Sequence, residues 1–350
     1  MKKISDKQII NFRKQYGKIN TEAKMAAKAD RCVLCNKQVT SFCNSHSIPQ
    51  FCLKNIAVDG KVLQPTAAMG FNAKVIDIDA GMKSAGTFRR ICRGCDGKYF
   101  QDYESTEKLQ SEPSDKLMAE IAVKDCLVII SKRELELKRV DITQRDYNMF
   151  VDPQKIKNVK ALDLSEQYDD LNVHRNVIEG NFTDKSPKYR ILFRRILPYR
   201  CPIAAQSSIV LTKDMNNYEV NDVYDFRENT RMQSMHLCVF PFESTTLVLL
   251  FYHRRDKNYR NLWHEFNSEP EDKVLRYINY LIFEFTENYF ISPIKKDLIE
   301  NENLNRLSRE INGRQDFAIL NKNNNFGTDY EPINMDEIPN FLSEDEAIIP

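Results

Sequence analysis

Two pairs of cysteines, Cys32-Val-Leu-Cys35 and Cys92-Arg-Gly-Cys95, constrain this chain more than any other feature. Two intervening residues let both sulfurs of a pair reach one ion from a tight turn, and four thiolates make a closed tetrahedral zinc site. Such an ion holds together a loop-rich segment with too few apolar residues to fold alone. The other five of the nine cysteines need no metal. Cys43 falls in a predicted strand, Cys52 in a predicted helix, and Cys126, Cys201 and Cys238 in apolar runs, where a thiol is a small hydrophobe. Met1 to Lys7 leads into no apolar run, so no export signal is expected and the cytoplasm is the expected compartment. There, CxxC pairs mean metal or redox chemistry rather than disulfides.

With 350 residues, 42% hydrophobic and 29% charged, the chain can bury a large core and does not read as a membrane protein. Its longest strongly apolar run, Leu247 to Tyr252, is far too short to span a bilayer. The net charge of +1 conceals an asymmetry. Residues 1–110 carry 19 Lys and Arg against 10 Asp and Glu, a surplus of 9, which leaves 32 against 40, a deficit of 8, in 111–350. The basic part is the cysteine-bearing part, with Arg89, Arg90, Arg93 and Lys98 around the second pair. Nucleic acid is the natural partner of such a surface; a merely solvated basic face is the alternative. Because side chains alternate along a strand, at most two of the three arginines can touch phosphate.

The pattern predicts an α+β chain: a zinc-stabilised N-terminal module, then a larger α+β domain with an antiparallel hairpin and long helices. The expected divisions are N-terminal helices in 1–30, the zinc module in 31–110, an α+β regulatory or partner domain in 111–316 and an acidic tail in 317–350. Ser5 and Gln8 form a capping box, with Tyr16-Gly17 as the stop, and a second short helix is expected over 22–28. Pro49 opens a helix through Ala57. Strands are expected at 61–63 and 74–78, with a loop over 81–86. A helix from Asp96 to Leu109 carries Phe100 and Tyr103 on one face. Ser114 caps a long helix to about Arg139, with Leu117, Ile121, Leu127 and Ile130 as core positions. More helix is expected over 143–151 and 163–179. Strands follow at 190–197, 203–211, 235–240 and 245–253, the last two joined by Pro241-Phe-Glu-Ser244. A helix over 271–291 buries Leu275, Ile278, Leu281, Ile282 and Phe285. Asn321 to Asn325 reads as a linker.

Over 32–104 the sequence resembles the Cys-bracketed HNH endonucleases of the ββα-metal (His-Me finger) group. The counterparts are Cys32/Cys35, Ser45-His46-Ser47-Ile48-Pro49 and Cys92/Cys95-Asp96. The resemblance implies a metal-dependent nuclease cutting phosphodiester bonds of nucleic acid, DNA being expected. In it His46 deprotonates the attacking water and Asp96 holds Mg²⁺ or Mn²⁺ on the scissile phosphate, while zinc is structural. The family's acid before the histidine is replaced here by Ser45. Asp96 restores that carboxylate, and Asp102 or Glu104 would supply a second acidic ligand. Thr87 is the neutral polar candidate to orient His46. The 56 residues between Cys35 and Cys92 require an insertion within the hairpin. An HNH head on an unrelated domain suggests, by analogy, a bacterial or phage defence system.

Without that chemistry, His46 is an ordinary loop histidine or a zinc ligand, and the whole unit a non-catalytic zinc module that binds nucleic acid or a protein partner. Trp263-His264-Glu265 lacks the second histidine of an HExxH site, and His236 and His253 read as strand residues. The tail from Asp329 has seven acids and no Lys or Arg, yet carries Ile333, Ile338, Phe341, Leu342, Ile348 and Ile349. It is expected to dock, either on a partner or as a polyanion mimic on the chain's own basic module.

Overall fold

Helix α1 (Asp6–Ala26) runs straight through Gly17, where a stop was expected. A mid-helix glycine costs about 1 kcal/mol relative to alanine, a deficit that packing can outweigh. Arg139 donates to Asn20 at 2.9 Å and Arg145 pairs with Glu22 at 2.7 Å, tying α1 to a long helix further on. The computed structural model describes residues 6–65, 76–146, 153–181, 185–222, 225, 230–308 and 333–349. The Ser5 cap and the 321–325 linker lie outside these.

Next come β1 (Ser45–His46), α2 (Gln50–Ile56), β2 (Lys61–Pro65), β3 (Ile76–Gly81) and β4 (Thr87–Phe88). The expected single helix after the second cysteine pair is two pieces, α3 (Arg93–Tyr99) and α4 (Thr106–Gln110), because the chain leaves helical geometry at Phe100. Phe100 and Tyr103 are both buried, but in a turn rather than on one helix face. The long helices are α5 (Asp115–Asp146) and α6 (Pro153–Ile178). The Ser114 hydroxyl accepts from the Leu117 amide at 3.1 Å, and the four expected core residues of α5 are buried. Ion pairs Lys160–Glu136 at 3.0 Å and Lys157–Asp141 at 2.6 Å run between α5 and α6.

Strands β5 (Tyr189–Leu197), β6 (Ile203–Ile209), β7 (Met235–Pro241) and β8 (Thr246–His253) precede α7 (Arg260–Ser268), α8 (Glu271–Phe285) and β9 (Tyr289–Ile291). The helix expected to reach Ile291 ends at Phe285, and its last residues form a strand instead. That strand joins the two halves of the molecule. The seven-stranded sheet has the order β3-β2-β9-β6-β7-β8-β5, with every neighbouring pair antiparallel. The β2–β3 hairpin of the cysteine-bearing segment is therefore continuous with the later strands.

Both faces of this sheet are covered. Met235, Leu237 and Val239 of β7 face α7, α8 and the tail; Cys238 and Phe240 face α5 and the cysteine module. Period-two alternation sorts each strand's residues between the two cores. The module is thus held against the sheet on the same side as α5. Among the described residues, no helix is long and apolar enough to cross a membrane.

The tail docks on the chain itself through apolar burial rather than as a charge mimic, and its Ile348 joins the core that the cysteine module shares with α5. Ile333, Ile338, Phe341 and Leu342 enter the core beneath α8. Asn279 donates to the Pro339 carbonyl at 2.9 Å and accepts from the Phe341 amide at 3.0 Å. Apolar burial seats the segment, and its acids meet local cations: Arg276–Asp336 at 3.3 Å and Lys295–Glu346 at 2.8 Å.

Candidate metal centre and the ion cluster beside it

Residues 33–35 form a turn that Asn36, at φ 55°, closes by donating to the Cys32 carbonyl at 2.7 Å. Cys95 lies on the first turn of α3, and Cys92 precedes that helix. All four sulfurs lie within 4.8 Å of one another, with Cys35 and Cys92 3.9 Å apart. A zinc tetrahedron with sulfur arms of about 2.3 Å has edges of about 3.8 Å. The donor set and spacing therefore fit zinc. The Cys92 amide points at the Cys32 sulfur from 3.3 Å. Burial first, then the three neighbouring sulfurs, push the Cys95 thiol upward, and a bound cation reverses that bias.

Next to the cysteines, β1 and β4 form a two-stranded antiparallel hairpin, with Ser45 opposite Phe88 and His46 opposite Thr87. Helix α3 follows, so the local order is strand, strand, helix. The insertion required by the cysteine spacing is α2 with β2 and β3, which carry the chain into the large sheet. Gly86 makes the return possible. It sits at φ +61°, and a Cβ there would stand 2.5 Å from the Ser47 hydroxyl and 2.6 Å from the Phe290 ring. Ser47 in turn donates to Asn288 at 2.7 Å, fixing the hairpin to the approach of β9.

The structure brings the neighbourhoods of His46 and Asp96 together, and adds a residue that the motif did not point to. Lys124 of α5, fully buried, donates to the Ser45 hydroxyl at 2.5 Å and to Asp96 Oδ1 at 3.3 Å. Ser45 donates to the same Asp96 oxygen at 2.7 Å, and the Cys43 thiol approaches Oδ2 at 3.4 Å. The ammonium also lies 4.0 Å from the Phe100 ring centroid, 5.4 Å from Tyr103 and 5.8 Å from Phe88. Burial acts to raise the Asp96 carboxyl, but the Lys124 charge and the donors from Ser45 and Cys43 outweigh it and hold the group below its ordinary range. Burial lowers Lys124, with Asp96 and Glu104 opposing.

His46 is half-buried, and its Nε2 has no hydrogen-bond partner among the described residues. Burial, assisted by Lys124, holds its imidazole below the usual value against the opposing Met82 carbonyl and Asp96. Thr87 does not orient it, since that hydroxyl donates to Ser84 at 3.1 Å. Asp102 is paired with Lys116 at 3.1 Å, and Glu104, in the turn after α3, has an exposed surface yet a carboxyl that burial raises and that feels both Lys124 and Asp96. Of the basic residues, Arg89, Arg93 and Lys98 are exposed, whereas Arg90 is buried and paired with Glu134 at 2.7 Å.

Lys124 makes Asp96 a poor seat for a divalent ion, because the carboxylate already has a cation beside it. Among the described residues, the four cysteines alone form a cluster of three or more His, Cys, Asp or Glu ligand atoms. An ion about 2.1 Å from Asp96 Oδ1 would stand no more than about 5.4 Å from the Lys124 nitrogen, given the 3.3 Å between those two atoms. Charges of +2 and +1 at that distance repel by about 6 kcal/mol at an effective dielectric constant of 20, which offsets over a third of the roughly 16 kcal/mol by which Asp96 at about 2.1 Å would attract the ion.

Lys124 carried a signal that the motif overshadowed. Leu117, Ile121, Lys124 and Val128 repeat at helical spacing, so the lysine occupies an apolar stripe of α5. No protein-family profile, no curated protein and no solved structure matches this chain.

Proposed function

We propose that the zinc-stapled hairpin–helix unit binds nucleic acid through phosphate contacts made by Arg89, Arg93 and Lys98. The supporting observation is that these three cations are exposed around a four-cysteine knuckle while Arg90 is turned inward. A rigid frame presents them with little entropy left to lose on binding, and a reducing compartment such as the cytoplasm keeps the thiols available to zinc. The test is affinity for a fluorescent duplex and a single strand over a range of salt. Each lost phosphate contact flattens the salt dependence by about one unit of slope, so Arg89→Ala should do so and Arg90→Ala should not. An affinity indifferent to salt would exclude nucleic acid and leave a protein partner.

Phosphodiester hydrolysis of the HNH type is the second function worth testing, because His46 lies on the first strand and Asp96 on the helix of the same unit. A neutral imidazole, held so by burial and by Lys124, is the form a general base needs. Plasmid incubated with the protein and Mg²⁺ or Mn²⁺, beside His46→Ala, decides the point. Nicking lost in the variant would establish hydrolysis; nicking that survives, or no nicking, excludes it.

A further inference from the structure

We infer that the Lys124 ammonium is the resident cation of the His46/Asp96 site and takes the part there that a catalytic divalent ion would otherwise play. The hairpin–helix unit is then completed by a side chain of α5 rather than by Mg²⁺ or Mn²⁺. This inference is independent of nucleic-acid binding, and it predicts that the site holds no divalent ion.

Three features carry it. First, the ammonium is enclosed by groups suited to a monovalent organic cation: two oxygens, from Ser45 at 2.5 Å and Asp96 at 3.3 Å, and the aromatic faces of Phe100, Tyr103 and Phe88. Rings attract an ammonium, whereas Mg²⁺ demands about six oxygens in near-octahedral array, most of them waters. Second, the serine that replaces an acid before His46 is not merely a lost ligand. An acid at position 45 would ligate a metal; the Ser45 hydroxyl instead accepts from Lys124 and donates to Asp96, bridging the pair. Third, Lys124 is fully buried and anchored in α5, packed between α6 and the sheet, so the charge is built into the core. The site needs a positive charge to neutralise Asp96, and the chain itself supplies it.

Lys124 is accordingly a positioning residue: it holds Asp96 and Ser45 in place and fills the space between them. Electron paramagnetic resonance of Mn²⁺ titrated into zinc-loaded protein tests this directly. Wild type and Asp96→Asn should bind the same amount of Mn²⁺, since Asp96 is already neutralised. Lys124→Met should bind one further Mn²⁺ per chain, with a Mn²⁺-dependent rise in thermal midpoint that wild type lacks, and adding Asp96→Asn should abolish both. If wild type binds one Mn²⁺ that Asp96→Asn loses, or folded Lys124→Met gains none, the inference is overturned. Should Lys124→Met not fold, the comparison of wild type with Asp96→Asn decides alone. None of these readouts involves nucleic acid, so failure here and failure of the binding proposal remain separate results.

Discussion

Replacing Phe341 by alanine tests whether the acidic tail belongs to the folded core. The ring is fully buried, 5.3 Å from the Phe283 centroid, and its amide is bonded to the Asn279 side chain at 3.0 Å. Truncating a buried phenylalanine removes its transfer free energy and leaves a cavity, together about 3–5 kcal/mol. At about 2 °C per kcal/mol for a chain of this length, the thermal midpoint should fall by roughly 6–10 °C. Ile349, 88% exposed in the same tail, is the control. Ile349→Ala should change stability by less than about 0.5 kcal/mol. Calorimetry or circular dichroism on both variants gives the comparison. A Phe341→Ala midpoint indistinguishable from that of Ile349→Ala would refute the placement of the tail under α8 and revive a dock elsewhere.

Elemental analysis of freshly purified protein should give one zinc per chain, and Cys95→Ser should lose the metal together with solubility, because metal binding here is folding energy. Arg90→Ala should cost about 1 kcal/mol, measured by denaturant unfolding, because Glu134 loses its ion pair but keeps the Tyr168 hydroxyl at 2.9 Å, while Arg89→Ala costs almost nothing. Burial first, then the charge of Arg255, holds the His253 imidazole down to about 4. The unfolded chain, at about 6.5, takes up that proton first. The contribution of His253 is therefore complete above a pH of about 6.5 and is lost as pH falls toward about 4. His253→Gln should unfold with a shallower pH dependence across that window, and an unchanged slope would count against the burial of this ring.

Much of the scaffold could be read locally. The apolar stripe of α5, the near-continuous apolar runs of β7 and β8 and the cap at Ser114 are patterns within one element: the stripe marks one face for burial, the runs mark both. The two CxxC pairs are local too, since each turn aims its sulfurs whatever lies beyond it. The same locality explains the errors. Tyr289 to Ile291 are apolar enough to resume the helical stripe beyond Thr286-Glu287-Asn288, yet they pair with β2 and β6, because the sheet would otherwise leave two strands with open edges.

The site itself shows where pattern ends and assembly begins. By itself the sequence determined the grouping of four cysteines fit to hold a metal, the α+β character, the antiparallel strands and the presence of His46 and Asp96 beside those cysteines. Only the tertiary structure decided what those two residues meet. Lys124 is 28 residues from Asp96 and 79 from Ser45, and a charge on an apolar stripe has no assigned partner until another element covers it. Packing α5 against the module made the lysine the counter-ion of Asp96, turned Arg90 onto Glu134 and left α8 to gather the tail beneath it. The physical reason is common to all three: a side chain's periodicity records that it is buried, whereas electrostatic and packing partners are chosen by contacts between elements distant in the chain.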